Sequence, residues 1–390
     1  MTQPGNFSDH QLAIYAQGMF GGGKPSWTTN LARLEEYARQ KLSPEAFGYI
    51  VPSAGDSATT RANRAAFDRY RIVPRMLRGR AERSYRTTVL GTEMPAPVMI
   101  APLGVQNLAH PDGELATARA AAALGLTYVH STQASRSFEE VAEAAGDAPR
   151  WYQLYWPTDD ELCLSFLQRA KENGFSVLVL TVDTVLLGYR PADLDRGYLP
   201  FLAGDGIANY LTDPVFRSRL AKPPEEDMTA AALQFAQVFP HAGLSWERLP
   251  WLREHWDGPI VIKGIQSVAD AKAAADAGMD GIVVSNHGGR QVDGAIAALD
   301  ALGPIAEAVG DELTVLFDSG IRTGSDVVKA LALGAKAVLI GRPFAYGLAL
   351  GGQAGVEHVL RCLLAEFDLT MALSGLSMDD LEPGILATAG

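Results

Sequence analysis

A repeated helix–glycine–strand pattern constrains the fold of this chain more than any other feature of its 390 residues. Alanine-rich helical stretches end at a glycine, and an apolar strand begins within a few residues, as in AAALGLTYV, AKENGFSVLVL, ADAGMDGIVVS and LALGAKAVLI. Glycine can end a helix in the left-handed conformation, and the β-branched run that follows favours a strand. Strands that alternate with helices indicate a parallel sheet.

Eight such strands are predicted, near residues 96–102, 126–131, 150–155, 176–183, 258–264, 281–286, 314–320 and 337–343. Eight consecutive units favour an α/β fold of the closed (β/α)8 TIM-barrel type over an open doubly wound sheet. We expect residues 1–95 to form an N-terminal helical segment packed on a barrel of residues 96–390, with C-terminal helices at about 355–390. An insertion at about 187–257 follows the fourth strand, and a connection of that length is often a lid.

Composition excludes several classes of function. The net charge of −12 argues against nucleic acid as a partner, because that partner requires a basic surface. No apolar run approaches the ~20 residues of a membrane span, and MTQPGNFSDHQ lacks a signal pattern, so we expect a cytoplasmic protein. Cys163 and Cys362 are far apart and predict reduced thiols; without metal-ligand spacing among Cys, His, Asp or Glu, no metal is expected.

Polar side chains end nearly every predicted strand, which is where barrel enzymes carry their sites. After strands seven and eight, DSGIRTG and GRP supply glycines together with Arg322 and Arg342. These loops are the usual phosphate site of the barrel, so a phosphorylated ligand is predicted, with solvated arginines on glycine turns as the alternative. Asp318 could accept hydrogen bonds from hydroxyl groups of the same ligand.

The stretch SNHGGRQ follows strand six and contains His287 and Arg290. A guanidinium suits a carboxylate, and a neutral imidazole beside it can take a proton. Asp183, at the end of strand four, could orient that imidazole, and Tyr155 adds a hydroxyl donor. The residues therefore predict a site for a small acid with a removable proton near its carboxylate. His130, also at a strand end, is the alternative base, although it has no arginine neighbour.

Lys263 ends strand five after the apolar run PIVI. A lysine at the mouth of a barrel can form a Schiff base or can place positive charge beside developing negative charge. A structural lysine whose amine reaches solvent is the third interpretation. The residues alone leave these roles open.

SNHGGRQ resembles the signature of the FMN-dependent 2-hydroxy acid oxidase and dehydrogenase family. IAPLGVQNLAHPDGE, YQLYWP, LTVDT, VIKGI, FDSGIRTGSDVVKALALGA and IGRP also resemble family blocks, in family order, over about residues 15–380. IYAQGMFGG, GYRPADL, PFLAGDGIANYLTDPVF and the long insertion are similar to the lactate monooxygenase branch of that family.

The resemblance implies FMN as cofactor and assigns roles by position. His287 would be the base, Asp183 its partner, and Tyr155 the donor to the substrate oxygen. The substrate carboxylate would be bound by Arg290 with Arg190 and Tyr49. The implied flavin contacts are Pro102, Leu103, Gly104, Ser131, Gln153, Thr181, Lys263 and Ser285 around the ring and ribityl chain, with Asp318, Gly320, Arg322, Gly341 and Arg342 at the chain and phosphate. Leu103 and Tyr189 depart from the pattern usual in oxidases.

The resemblance also implies a reaction. A small L-2-hydroxy acid would give a keto acid, oxygen would give hydrogen peroxide, and a lid that retains both would let lactate and oxygen yield acetate, carbon dioxide and water. The alternatives are an oxidase that releases keto acid and peroxide, a non-redox Schiff-base lyase, and a non-catalytic flavin- or phosphate-binding protein. A homotetramer or octamer is expected from the resemblance alone.

Overall fold

Eight parallel strands close into a barrel in the computed structural model, which describes residues 6–79 and 82–389. In chain order they are β1 (Val98–Ile100), β2 (Thr127–Ser131), β3 (Arg150–Leu154), β4 (Leu178–Thr181), β5 (Ile260–Ile265), β6 (Gly281–Val284), β7 (Thr314–Phe317) and β8 (Ala337–Ile340). β8 pairs with β1, where Leu339 lies opposite Met99, and this pairing closes the ring. The predicted (β/α)8 barrel is therefore confirmed.

Helices surround the strands, which are buried on both faces as their continuous apolar runs predict. The helices that connect successive strands are Gly113–Leu124, Phe138–Ala145, Asp160–Glu172, Val268–Asp276, Ala298–Val309 and Gly324–Ala332, and Arg342–Leu373 follows β8. Side-chain caps start several of them, as where Ser137 and Glu140 form a capping box. The last helix has a non-helical kink at Gly351 and Gly352.

The segment before the barrel contains the helices Asp9–Gly21, Leu34–Arg39, Pro44–Ile50 and Ala58–Asp68. It also contains three short strands, Tyr70–Ile72, Thr87–Val89 and Thr92–Met94, which the helical interpretation did not include. Val89 and Met94 belong to the same buried cluster as Trp151, whose indole nitrogen donates to Thr92 Oγ1 at 2.9 Å. The hairpin thus adds to the barrel's interior packing, and its three-residue strands are too short to show an alternating pattern.

The C-terminal part is helical as far as Leu373 and ends in the strand Leu386–Thr388 rather than in helix. That strand pairs antiparallel with Tyr70–Ile72, so the segments before and after the barrel are joined. Short 3-10 turns lie at Leu31–Arg33, Gln106–Leu108, His287–Gly289, Met378–Asp380 and Pro383–Ile385. Among the described residues, no helix has both the length and the apolar character needed to cross a membrane.

The insertion after β4 folds into short helices at Pro191–Leu194, Pro200–Ala203, Ala208–Leu211, Pro214–Ser218, Met228–Val238, Trp246–Arg248 and Leu249–His255. Its aromatic rings pack together, with Phe235 5.0 Å from Tyr210 and 5.4 Å from Phe201 between ring centroids. The Ala208 amide donates to the Ala134 carbonyl at 2.9 Å, which fixes the insertion to the loop after β2. The insertion is therefore a packed layer whose buried aromatic residues join the main hydrophobic core.

Candidate active site

A cavity opens at the carboxyl ends of the barrel strands, bordered by the N-terminal segment and by the insertion. Most of the predicted site residues line it, namely Tyr49, Pro102, Leu103, Gly104, Ser131, Tyr155, Arg190, Lys263, His287, Arg290, Asp318, Gly320, Arg322, Gly341 and Arg342. Asp183, Gln153, Thr181 and Ser285 are not among the lining residues, although Asp183 and Ser285 contact residues that are.

His287 and Asp183 form a close hydrogen-bonded pair in the site, with His287 Nδ1 2.8 Å from Asp183 Oδ1. A carboxylate can only accept, so Nδ1 carries the hydrogen and Nε2 keeps its lone pair. Tyr155 places its hydroxyl 3.4 Å from that Nε2. Thr184 donates to the same Asp183 oxygen at 2.9 Å, which holds the carboxylate in place. The imidazole therefore presents its free nitrogen to the cavity.

Electrostatics keep this pair in the state that proton abstraction requires. Burial, reinforced by Lys263 and Arg190, lowers the pKa of His287 despite the opposing charge of Asp183, so the imidazole is neutral near pH 7. Burial acts to raise the pKa of Asp183, but the charges of His287 and Lys263 outweigh it and hold the pKa at about 2. The site thus combines a neutral base with a fixed negative charge behind it.

The turn that carries His287 has an unusual backbone. His287, Gly288 and Gly289 all have positive φ angles, of 57°, 65° and 77°. A side chain is unfavourable in this region, so glycine at two of the three positions limits the strain to the histidine. Ser285 Oγ accepts from the His287 amide at 3.0 Å, and Ser319 Oγ accepts from the Gly288 amide at 2.9 Å. These bonds aim the imidazole at the cavity.

Two arginines supply positive charge at the wall of the cavity. Arg290 Nη1 donates to the carbonyls of Tyr49 and Pro52 at 2.7 and 2.9 Å, and its other guanidinium nitrogens have no hydrogen bond to described residues. Arg190 donates to the Arg290 carbonyl and to Gln291 Oε1, and its nearest carboxylate, Asp193, is 4.0 Å away. Burial and the neighbouring Arg190 lower the pKa of Arg290 to about 9. Because so little negative charge lies close to these two guanidinium groups, they form a site for an anion.

Lys263 lies under the cavity and is 4% exposed. Its Nζ donates to Ser285 Oγ at 3.1 Å and lies 3.3 Å from Asp318 Oδ2. Burial opposes the charged form, but Asp318 and Asp183 overcome it and raise the pKa of Lys263 above its ordinary value. Gly264 forms a bulge at φ 112°, where a Cβ would lie 2.7 Å from the Asp183 side chain. The absence of that Cβ lets β5 pass close to Asp183.

The loops after β7 and β8 form the other end of the cavity. Among the described residues, the Arg322 guanidinium donates only from Nη1, to the Ile321 carbonyl. Burial, with Arg342 and Arg64 nearby, lowers the pKa of Arg322 to about 10. Arg342 starts the last helix, and all three of its guanidinium nitrogens already donate hydrogen bonds. Nε donates to the Val51 carbonyl, Nη1 to the Gly288 carbonyl, and Nη2 to the Pro52 carbonyl and Ser53 Oγ. The end with Gly320, Gly341 and a helix N-terminus therefore suits a phosphate, with Arg322 as the arginine whose donors are free.

Among the buried polar atoms near the strand ends that have no partner in the described residues are Gln153 Nε2 and Thr181 Oγ1. Leaving a buried donor or acceptor unpaired costs about 1–3 kcal/mol, so such atoms indicate a bound group that satisfies them. Gln153 itself is held by Ser131, whose hydroxyl donates to Gln153 Oε1 at 2.8 Å. The orphaned atoms belong to residues predicted to contact a cofactor ring.

Sequence reasoning missed several residues that shape the site. Gln133 lines the cavity with both of its side-chain amide atoms buried and unpaired among the described residues, and its position after HST in the second strand end was the available signal. Ser319 also lines the cavity and sits in the quoted DSG block. Asn63, from the N-terminal segment, exchanges two hydrogen bonds with Asn286 at 2.8 and 2.7 Å, and no sequence pattern predicts that pairing.

The alternative base, His130, lies away from the cavity. It is fully buried, with Nε2 3.3 Å from Asn209 Nδ2, and burial lowers its pKa to about 3. Its surroundings are the aromatic rings of Phe138 and Phe175, at 5.5 and 5.7 Å between centroids. The geometry gives His130 a packing role.

Comparison with known proteins gives matches along nearly the whole chain. Residues 38–388 match the family model described as FMN-dependent dehydrogenase. The chain is 49% identical over 376 residues to the FMN-dependent alpha-hydroxy acid dehydrogenase qulF of Penicillium citrinum, covering 96% of this chain and 94% of the relative. It is 45% identical over 344 residues to an L-lactate oxidase of Lysinibacillus sphaericus, covering 88% of each. A crystal structure of mandelate oxidase superposes with a TM-score of 0.82 at 39% identity, over 93% of this chain and 99% of that one.

Proposed function

Because the chain belongs to the family of FMN-dependent dehydrogenases that act on 2-hydroxy acids, we propose that it oxidises a small L-2-hydroxy acid, lactate in the first instance, with oxygen as acceptor. We further propose that it is a lactate monooxygenase, which converts lactate and oxygen into acetate, carbon dioxide and water. The observation that carries the proposal is the neutral His287, backed by Asp183 and facing a cavity that also contains Arg290.

The residues of the cavity fit FMN. Gln133 lines the cavity with an unpaired amide, and with the unpaired Gln153 Nε2 and Thr181 Oγ1 at the ends of β3 and β4 it can hydrogen-bond the polar edge of a flavin ring. Asp318 can accept from ribityl hydroxyls, and Arg322 with the N-terminus of the last helix can hold the phosphate. When bound, FMN supplies the two-electron redox chemistry that amino-acid side chains lack. Lys263, whose raised pKa keeps it charged, would place a positive charge beside the ring.

His287 is the residue that accepts the proton from the substrate. Its Nε2 can accept a proton from the substrate, from either the hydroxyl group or the α-carbon, while its Nδ1–H donates to Asp183. The fixed carboxylate stabilises the imidazolium that results, as in other His–Asp pairs. The Tyr155 hydroxyl, 3.4 Å from Nε2, can hydrogen-bond the substrate oxygen and hold it near the base. In the net step the substrate loses two electrons and two protons and becomes a keto acid.

Substrate orientation falls to the arginines. The free donors of Arg290 can bind a carboxylate bidentately, and its stacking 5.1 Å over the Tyr49 ring keeps the guanidinium plane fixed. Arg190 adds charge from the insertion side. A carboxylate held there lies beside His287, so the α-carbon and its hydroxyl group come within reach of the base. Binding of an acid is thereby coupled to its orientation.

The insertion supports retention of intermediates. Leu187, Phe201 and Phe239 line the cavity, and Phe239 packs 5.5 Å from the Tyr155 ring. Oxygen that takes up the two electrons and two protons becomes hydrogen peroxide. If keto acid and peroxide stay together under this apolar cover, pyruvate and peroxide combine to give acetate, carbon dioxide and water. An oxidase differs only in releasing both compounds, so the time for which they are retained in the cavity decides the product.

A Schiff-base lyase is disfavoured by the same electrostatics. A lysine that attacks a carbonyl must lose its proton, and enzymes achieve this by lowering the lysine pKa. Asp318 and Asp183 instead raise the pKa of Lys263.

Turnover of L-lactate in air with identification of every product tests the proposal. We expect one acetate and one carbon dioxide for each oxygen consumed, with little free peroxide. Stoichiometric pyruvate and peroxide would overturn the monooxygenase and leave the oxidase. Turnover of a larger 2-hydroxy acid such as mandelate, with none of lactate, would overturn the proposed substrate.

A further inference from the structure

Three metal-binding side chains meet outside the cavity, where the helix Asp9–Gly21 packs on the helix Arg342–Leu373. They are His10, His358 and Cys362, and their ligand atoms all lie within 4.8 Å of one another. Cys362 Sγ is 3.7 Å from His10 Nε2 and 3.7 Å from His358 Nε2. Nothing in the redox site uses these residues.

The distances suit a tetrahedral ion. A zinc ion bound to sulfur at about 2.3 Å and to nitrogen at about 2.05 Å separates those two ligand atoms by roughly 3.6 Å. His358 and Cys362 are four residues apart on one helix, so they share a face, and His10 reaches them from the second helix. Two imidazoles and one thiolate form a ligand set typical of zinc and related transition metals.

The three side chains of the cluster are partly buried, but solvent can still reach them. Cys362 is 8% exposed, and the two histidines are half-buried. A separate cavity borders His10 and is lined in part by Phe7, Arg361 and Leu364, so the cluster can be approached from the side of His10. His358 Nε2 now lies 3.0 Å from the Thr28 carbonyl oxygen, to which it can donate. Metal binding requires that Nε2 be free of hydrogen and that the thiol proton of Cys362 leave to solvent.

The helix Asp9–Gly21 explains what such an ion would do. No residue of this helix is buried, and its large side chains Leu12, Met19 and Phe20 are 65%, 78% and 90% exposed. Little apolar burial therefore holds it, although the Ser8 amide donates to buried Asp368 at 2.7 Å just before its start. A metal ion shared between the two helices would supply a strong additional link.

We propose that His10, His358 and Cys362 bind one divalent transition metal ion, zinc by preference, with a fourth position open to water, and that the ion clamps the N-terminal helix to the last helix. Spacing along the chain indicates only the pair His358 and Cys362, because the third ligand, His10, is 352 positions from Cys362. The site is independent of the redox function.

Cobalt is the probe for this site, because tetrahedral cobalt bound to thiolate absorbs in the red, beyond the absorption of oxidised flavin. The FMN-loaded enzyme, freed of metals with a chelator, should develop a red band that saturates at one equivalent of cobalt and is displaced by zinc. Zinc should also slow hydrogen exchange in residues 9–21. Cys362→Ser should weaken zinc binding at least about 100-fold, since losing even a supporting contact costs roughly 10- to 100-fold.

His10→Asn provides a second variant that needs no core repacking, and it should lose the band as well. His255→Asn, a histidine outside the cluster, is the matched control and should retain it. FMN content and turnover should be unchanged in all three variants. The proposal is overturned if no saturable red band forms, if the band survives in both cluster variants, or if His255→Asn loses it equally.

Discussion

His287 Nδ1 and Asp183 Oδ1 lie 2.8 Å apart, although the two residues are separated by 104 positions and come from the ends of different strands. Asp183 follows β4 and His287 follows β6, with the bulge of β5 between them. The contact fixes which imidazole nitrogen carries hydrogen, and it fixes the direction in which the other nitrogen points. The chemistry of the site therefore depends on this one bond.

Asp183→Asn should leave the shape of this contact nearly unchanged but remove its charge. We expect kcat to fall by about 10²- to 10⁴-fold, because the amide does not stabilise an imidazolium and can hold the wrong tautomer. The FMN content should stay at the wild-type level. The measurement is the rate of flavin reduction by L-lactate in the absence of oxygen, and a loss of less than about threefold would refute the role of Asp183.

The pH dependence of kcat/KM gives a second test of the same pair. The neutral imidazole is the active form, and its lowered pKa should place the acid limb of the profile below the ordinary histidine value of 6.5. Asp183 acts to raise the pKa of His287, so Asp183→Asn should move that limb to still lower pH. A limb that moves toward alkaline pH in the variant would contradict this account.

Arg290→Lys should raise KM for the 2-hydroxy acid by roughly 10- to 100-fold, as expected for loss of a charge-assisted hydrogen bond. The matched variant is Arg190→Lys, whose effect on KM should be smaller. Arg190 already donates from Nε to the Arg290 carbonyl and from Nη2 to Gln291 Oε1, so fewer of its donors are free for a substrate. Steady-state kinetics of both variants decide the point. If KM rises equally in both variants, or more in Arg190→Lys, then Arg290 is not the main residue that binds the substrate carboxylate.

Lys263→Met should destabilise the protein as well as impair reduction of the flavin. The variant leaves Asp318 buried without its ion-pair partner at 3.3 Å, and breaking such a pair costs about 3–5 kcal/mol. Chemical denaturation of the variant measures this loss of free energy of unfolding. Lys336→Met, at an exposed position, is the control and should stay within about 0.5 kcal/mol of wild type.

Gly188→Ala should disturb the root of the insertion. An added Cβ would lie 2.5 Å from the Arg290 carbonyl oxygen and 2.8 Å from that of Gln291, so the backbone must move, at a cost of about 1–3 kcal/mol. We expect a larger fraction of turnovers to end in free peroxide and pyruvate. Gly243→Ala, in the same insertion but with no atom within 4 Å of the new Cβ, should keep the wild-type product ratio. If both variants give the same product ratio, the packing of the insertion does not determine whether peroxide and pyruvate are retained.

The barrel and most residues of the cavity were predictable from sequence for a physical reason. Parallel strands in a barrel all point the same way, so residues far apart in the chain, such as Lys263 and His287, meet once they are recognised as strand ends. The apolar runs and the glycines after helices mark those ends. The roles of Tyr49 and Arg190 came from family resemblance, because neither lies at a strand end.

What escaped prediction depends on contacts that leave no local pattern. Asn63 reaches Asn286 from a helix 223 positions earlier, and Trp151 meets a hairpin whose strands have three residues each. Gln133 directly follows the end of β2, but the burial of its unpaired amide at the cavity is visible only in the folded structure. These features arise from tertiary packing, which one sequence does not record.

Anaerobic mixing of the FMN-loaded protein with L-lactate, compared with His287→Gln, tests the central claim that His287 is the base of a 2-hydroxy acid oxidation. The wild-type flavin should bleach within the time of a turnover. His287→Gln should keep its FMN, stay yellow and reduce at least about 10²-fold more slowly, as loss of a general base costs. Bleaching of the variant at a rate close to that of the wild type would contradict the account.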